Sequence, residues 1–282
     1  MSLLITPDAL ADLIAGSAPV RILDVRWRLD RPDGRPEYLA GHIPGAVYVD
    51  LGRELAAHGE PTDGRHPLPS ATQLGQAARR WGIDDGDTVV IYDDFTSFAA
   101  SRAWWVLADA GLPDVRILDG ALAGWVASGR PLEEGTVVPE PGAVTLGRGF
   151  LPRLSIDDAA RLPDSGVLLD VRAAERYRGD SEPLDPRAGH VPGAVNAPTT
   201  GNVDADGRFL EPEALRERFE QFGVGDDRPV GVYCGSGITA AHSALALTLA
   251  GFAPQLYAGS WSQWSNHPDR PVALGSEPGG RP

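Results

Sequence analysis

Lysine is absent from this 282-residue chain; all 25 basic residues are arginine. That excludes Schiff-base chemistry on a lysine amine and the lysine-bearing phosphate loop. Cysteine occurs once, as Cys234, which excludes an internal disulfide and a thiolate-rich metal site. No apolar run reaches the roughly 20 residues of a membrane-spanning helix. The N-terminal "MSLLITPDALADLI" has neither a basic region nor a small-residue cleavage site, so it does not read as a signal peptide. Positive charge is in deficit: 25 basic against 39 acidic residues leave a net charge of −14, which disfavours nucleic acid and anionic membranes as partners. A cytoplasmic protein with no metal or cofactor is the expectation.

What is present is a chain long enough for two ordinary domains, 42% hydrophobic, with 34 glycines and 25 prolines. That Gly and Pro content lies below the level of low-complexity disorder and implies many turns between short elements. The two halves repeat one plan. Asp24-Val25-Arg26 matches Asp170-Val171-Arg172, and "GHIPGAV" (41–47) matches "GHVPGAV" (189–195). "DTVVIYD" then pairs with "RPVGVYC", and "ILDGALAGW" with "LYAGSWSQW". A repeat this long and ordered implies two homologous domains, placed at 1–133 and 151–282. The Pro/Gly/Val-rich stretch 134–150 reads as an extended linker.

Within each half, apolar runs such as "VRILDV", "TVVIY", "GVLLDV" and "PVGVY" read as buried strands. They alternate with helix patterns: "SATQLGQAARRWG", "SFAASRAWWVLADAG", "EPEALRERFEQFG" and "TAAHSALALTLAG". The expected fold is α/β, two tandem domains, each a parallel sheet with helices on both faces. Ligands of such sheets sit at the carboxyl ends of strands, where Cys234 falls. In "CGSGIT" the glycines let backbone amides turn inward where a helix starts, a setting that cradles anions and favours a thiolate. The matching place in the first half has Asp93 and no glycines. The second copy therefore reads as the functional one. The bland alternative, an inert buried thiol, fits poorly with Gly-x-Gly directly after it.

Taken together, "GHIPGAV" and "GHVPGAV", "CGSGIT", "YAGSWSQW" and "ASRAWW" resemble the two-domain rhodanese-like sulfurtransferases over nearly the whole chain, and the loop resembles their 3-mercaptopyruvate branch. The resemblance implies transfer of sulfur from 3-mercaptopyruvate through a persulfide on Cys234 to thioredoxin, another thiol acceptor or cyanide. Gly235, Ser236, Gly237, Ile238 and Thr239 would cradle that persulfide. Arg176 and Arg187 match the two arginines that bind substrate, Arg187 with about two extra residues between them. Ser236 and His66 match a serine and a histidine of a triad-like relay. The acid of that relay is missing: Gly52 stands in its place, leaving Asp63 or Asp50 as substitutes. Ala258 departs from the family's usual Asp. Gly235 and Ser236 carry no charge where the thiosulfate branch has basic residues, so preference for mercaptopyruvate is expected.

His42 and His190 recur in both halves and read as structural, and His242 has helical spacing with no evident partner. A Cys-x5-Arg phosphatase is excluded because position 240 is Ala. Thiosulfate sulfurtransfer, a non-catalytic binding or sulfur-carrier module, and a redox sensor pairing with an external thiol are the remaining alternatives.

Overall fold

The computed structural model describes residues 2–16 and 18–280. The chain forms two compact units. One comprises Met1–Ala57, Leu68–Phe150 and Val203–Phe209; the other comprises His58–Pro67, Leu151–Asn202 and Leu210–Pro282. The segment holding His66 therefore packs with the cysteine-bearing half, although in sequence it lies in the first.

The first unit is built on β1 (Leu4–Ile5), β2 (Val20–Asp24), β3 (Val47–Tyr48), β4 (Thr88–Tyr92) and β5 (Val115–Leu118). The spatial order is β1-β5-β4-β2-β3 and every pairing is parallel. The second unit has β6 (Val167–Asp170), β7 (Val195–Asn196), β8 (Val230–Tyr233) and β9 (Pro254–Leu256), in the order β7-β6-β8-β9, again all parallel. A lone parallel bridge, Arg153 to Leu256, stands where β1 meets β5 in the first unit. The central strands are largely apolar and buried because helices cover both faces of a parallel sheet; every residue of β8 is buried.

Helix boundaries follow the capping chemistry of the sequence. Thr6 accepts from Ala9 N–H to start Pro7–Ala15, Ser70 accepts from Gln73 N–H to start Ala71–Arg80, and Ser155 forms a capping box with Asp158 before Ile156–Arg161. Phe98–Asp109 and Thr239–Leu249 occupy equivalent places after β4 and β8, and both are buried over most of their length. Residues 134–150 contain no helix or strand, yet Val144 is buried and its N–H bonds the Ile83 carbonyl.

The shared sequence motifs make shared structure. After β2, Arg26 grips Asp24 and reaches the Gly41 carbonyl (2.6 Å); after β6, Arg172 grips Asp170 and reaches the Gly189 carbonyl (2.7 Å). Burial works against the charge on Arg172, and Asp170 overrides it, so the guanidinium's pKa ends above its usual value. His42 and His190 are fully buried, stack on Tyr38 and Tyr177, and bond those residues' carbonyls through Nδ1 at 2.9 and 2.8 Å. They hold the turn together in both units. His242 does have a partner: its Nδ1 lies 3.0 Å from Thr199 Oγ1 inside the second unit.

Candidate active site

Cys234 directly follows β8, and its loop runs through residue 238 into the Thr239–Leu249 helix. Two strand ends, β6 and β8, neighbour each other where the chain order reverses, the usual ligand position of an open parallel sheet. Cys234 is buried, and its Sγ receives the Gly237 N–H at 3.1 Å. Gly237 has φ +80°, a conformation that turns its amide inward and that few other residues adopt. The N–H groups of Ser236 and Ile238 bond no acceptor among the described residues, so they remain open to an anion at the loop.

The floor of the loop comes from the Ser260–Ser265 helix. Trp261 N–H bonds the Cys234 carbonyl and Ser262 N–H bonds the Gly235 carbonyl. Ser260, held at φ +55°, accepts the Cys234 N–H at 3.1 Å; its own hydroxyl donates to the Tyr257 carbonyl and lies 4.0 Å from Sγ. Sequence reasoning missed Ser260. The repeat held a signal, since its counterpart in "DGALAGW" is Ala121, also at positive φ.

Segment 58–67 is tied to the same helix: Arg65 N–H donates to Ser262 Oγ at 3.0 Å, and His267 Nε2 lies 3.1 Å from the Thr62 carbonyl. This brings His66 Nδ1 to 2.9 Å from Ser236 Oγ. The candidate acids are engaged locally: Asp63 accepts the Glu60 N–H, and Asp50 accepts the Arg53 N–H at a helix start. Gly52 lies in the short Leu51–Glu54 helix. Nothing in the structure explains Ala258.

The two expected substrate arginines part company. Arg176 lies against the loop: a Cβ added at Gly235 would sit 3.3 Å from its Nη1. Arg187 does not serve as expected. It donates to the carbonyls of Ser265, Arg270, Trp264 and His267, which satisfies the end of the Ser260–Ser265 helix and the turn after it. Burial lowers its pKa, and with its donors spent on backbone oxygens it has no bidentate face to offer a carboxylate. The expectation of a charge-free surround also needs correction. Arg65, absent from the sequence candidates, places Nη2 3.1 Å from the same Cβ position of Gly235. Its one signal in the sequence was adjacency to His66.

Behind the loop runs an alternating chain of charge. Asp170 pairs with Arg172, Arg172 and Arg176 share Glu182, and Arg176 and Arg65 share Asp185. Glu182 and Asp185 side chains are almost fully enclosed, and burial pushes the Asp185 carboxyl up despite its arginines. Among the described residues no cluster of His, Cys, Asp and Glu could hold a metal ion.

A doubled parallel α/β unit, one copy carrying a thiol directly after a central strand and bonded by a loop amide, defines a tandem α/β protein with a cysteine loop. The chain belongs to the rhodanese-like family: the model of the rhodanese-like domain matches it twice, at residues 6–128 and 155–267. It is 47% identical over 276 residues to SseB of Mycobacterium tuberculosis, provisionally named a thiosulfate sulfurtransferase, with 97% of both chains covered. It is 46% identical over 266 residues to a Pseudomonas aeruginosa protein provisionally named a 3-mercaptopyruvate sulfurtransferase, covering 90% of this chain and 92% of the relative. Among solved structures, the 3-mercaptopyruvate sulfurtransferase SseA from Escherichia coli superposes with a TM-score of 0.82 at 35% identity, over 93% of this chain and 99% of that one.

Proposed function

We propose that the protein is a sulfurtransferase that takes sulfur from 3-mercaptopyruvate onto Cys234 and passes it to a thiol acceptor, or to cyanide in vitro. The observation that carries the reading is the loop itself: a single thiol beside the Gly237 amide, two further amides open, and the Ser236–His66 pair at 2.9 Å. In the proposed step the Cys234 thiolate attacks the donor's sulfur. An Sγ–S bond forms, the carbon–sulfur bond breaks, and its electron pair leaves on the methylene carbon as the enolate of pyruvate, which then takes up a proton. In this reading Ser236, paired with His66, delivers that proton. The open amides hold the persulfide, as amide-rich loops hold other anions. An acceptor thiolate then attacks the outer sulfur and releases Cys234 as a thiolate. Arg176 holds the donor's carboxylate. Thioredoxin is the proposed protein acceptor and the cytoplasm the proposed location; among the described residues no helix is long and apolar enough to cross a membrane.

A second donor has support of its own. With thiosulfate, the sulfur–sulfur bond breaks and sulfite leaves with the electron pair. The two guanidiniums against Gly235 suit this dianion, and the Mycobacterium tuberculosis relative bears that donor's name. Steady-state kinetics with both donors and cyanide tests the reading. A higher kcat/KM for 3-mercaptopyruvate, abolished in Cys234→Ser, is expected; a wild-type preference for thiosulfate would move the protein to the second donor.

A further inference from the structure

Three features converge on Arg65. It approaches the cysteine loop as closely as Arg176 does, 3.1 against 3.3 Å from the Cβ position of Gly235. Its donors are largely uncommitted: among the described residues only Nη1 is paired, with Asp185, and the buried Nε has no partner. The neighbouring Arg176 likewise spends Nε and Nη2 on Glu182 and Asp185, while Nη1, the atom facing Gly235, has no acceptor among the described residues. Two guanidiniums thus present spare N–H groups to one side of Gly235, and Asp185 joins them from behind. An enclosed carboxylate between two arginines keeps both in place when no ligand is present. The position is also fixed from the backbone, through the Arg65 N–H on Ser262 Oγ.

We propose that Arg65 and Arg176 together form the anion seat for the sulfur donor, with Arg65 in the place the sequence assigned to Arg187, and that Asp185 is the residue positioning the pair. This rests on the sulfurtransferase reading above and deepens it. A monocarboxylate such as 3-mercaptopyruvate takes paired N–H groups from the two forks. A compact dianion such as thiosulfate gains more from two adjacent charges, so Arg65 sets the balance between the donors.

The test has two arms. In steady-state kinetics, Arg65→Gln raises KM at least about tenfold for both donors, more for thiosulfate, while kcat changes less; Arg65→Lys, which keeps the charge, recovers part of the loss. In the second arm Cys234 is alkylated with iodoacetate and with neutral iodoacetamide, iodide leaving in each case. Wild type reacts disproportionately with the anionic reagent, and Arg65→Gln lowers the iodoacetate-to-iodoacetamide rate ratio several-fold with the iodoacetamide rate unchanged. A folded Arg65→Gln protein with wild-type KM values and a wild-type rate ratio overturns the proposal. Should wild type move sulfur from neither donor, the sulfurtransferase reading fails, and the alkylation ratio still decides whether Arg65 is part of an anion seat.

Discussion

The loops after β4 and β8 have the same length, from Asp93 to the helix starting at Phe98 and from Cys234 to the helix starting at Thr239, and opposite contents. In the first, the Asp93 carboxylate accepts the N–H groups of Phe95, Ser97, Ala99 and Ala100. The loop holds an anion, and the anion is its own side chain. In the second, a thiol one atom shorter in reach replaces the carboxylate, and the N–H groups of Ser236 and Ile238, counterparts of Phe95 and Ser97, are left open. The two loops differ at every position and in backbone, Ser97 at φ +62° against Ile238 at φ −84°, and the difference teaches how the amides are used: a carboxylate closes the cradle in the first, while the cysteine loop leaves amides open in the second. Burial pushes the Asp93 carboxyl up to about 6 even though its amide bonds pull the other way, so the closed loop is occupied at an electrostatic cost.

The largest effect expected outside the loops is shared by both units. Arg26→Met and Arg172→Met each leave a fully buried aspartate unpaired and cut the Gly41 or Gly189 carbonyl loose. Each is predicted to lower stability by about 3–5 kcal/mol, measured by urea unfolding of the full chain. A loss in only one unit would show that the repeated motif is not equivalent in the two.

Asp93 gives the next effect. Its pKa is higher folded than unfolded, so its contribution favours the native state below about pH 4 and is lost as pH rises through about 6. The shift corresponds to at most about 3 kcal/mol. Unfolding free energies between pH 4 and 7 should show a component that falls with pH in wild type and vanishes in Asp93→Asn; identical pH slopes would remove the electrostatic account of the closed loop.

A smaller effect separates the loops by function. Ser236→Ala is predicted to lower kcat/KM by about 10- to 100-fold, about 1.4–2.7 kcal/mol of transition-state stabilisation. Phe95→Ala, at the matching place in the closed loop, should leave turnover unchanged. Equal kinetics for wild type and Ser236→Ala would take the His66–Ser236 bond out of the mechanism.

Much of this was legible in sequence because parallel sheets and helix caps write strong local patterns. "TVVIY" and "PVGVY" are strands because both their faces are covered, and Thr6, Ser70 and Ser155 mark helix starts by accepting an amide with their side-chain oxygens. Cys234 stood out by position as well as by rarity. Long-range placement was not legible. Arg65 reaches the loop because segment 58–67 packs against the Ser260–Ser265 helix, a contact between residues nearly 200 positions apart, and Ser260 because that helix bonds the loop carbonyls. Arg187 illustrates the converse. Its residue type suited a carboxylate, but four carbonyls at a helix end claimed it, and carbonyl demand of that kind has no signature in a sequence.

The central claim is that sulfur rides on Cys234 in the open loop. Mass spectrometry of the intact protein and its peptides after brief exposure to 3-mercaptopyruvate, and separately to thiosulfate, tests it most directly. The prediction is a mass gain of one sulfur atom, located on the peptide containing Cys234, discharged by cyanide and absent from Cys234→Ser. Sulfur transfer at an appreciable rate by Cys234→Ser, or turnover by wild type with no sulfur ever found on Cys234, would contradict it.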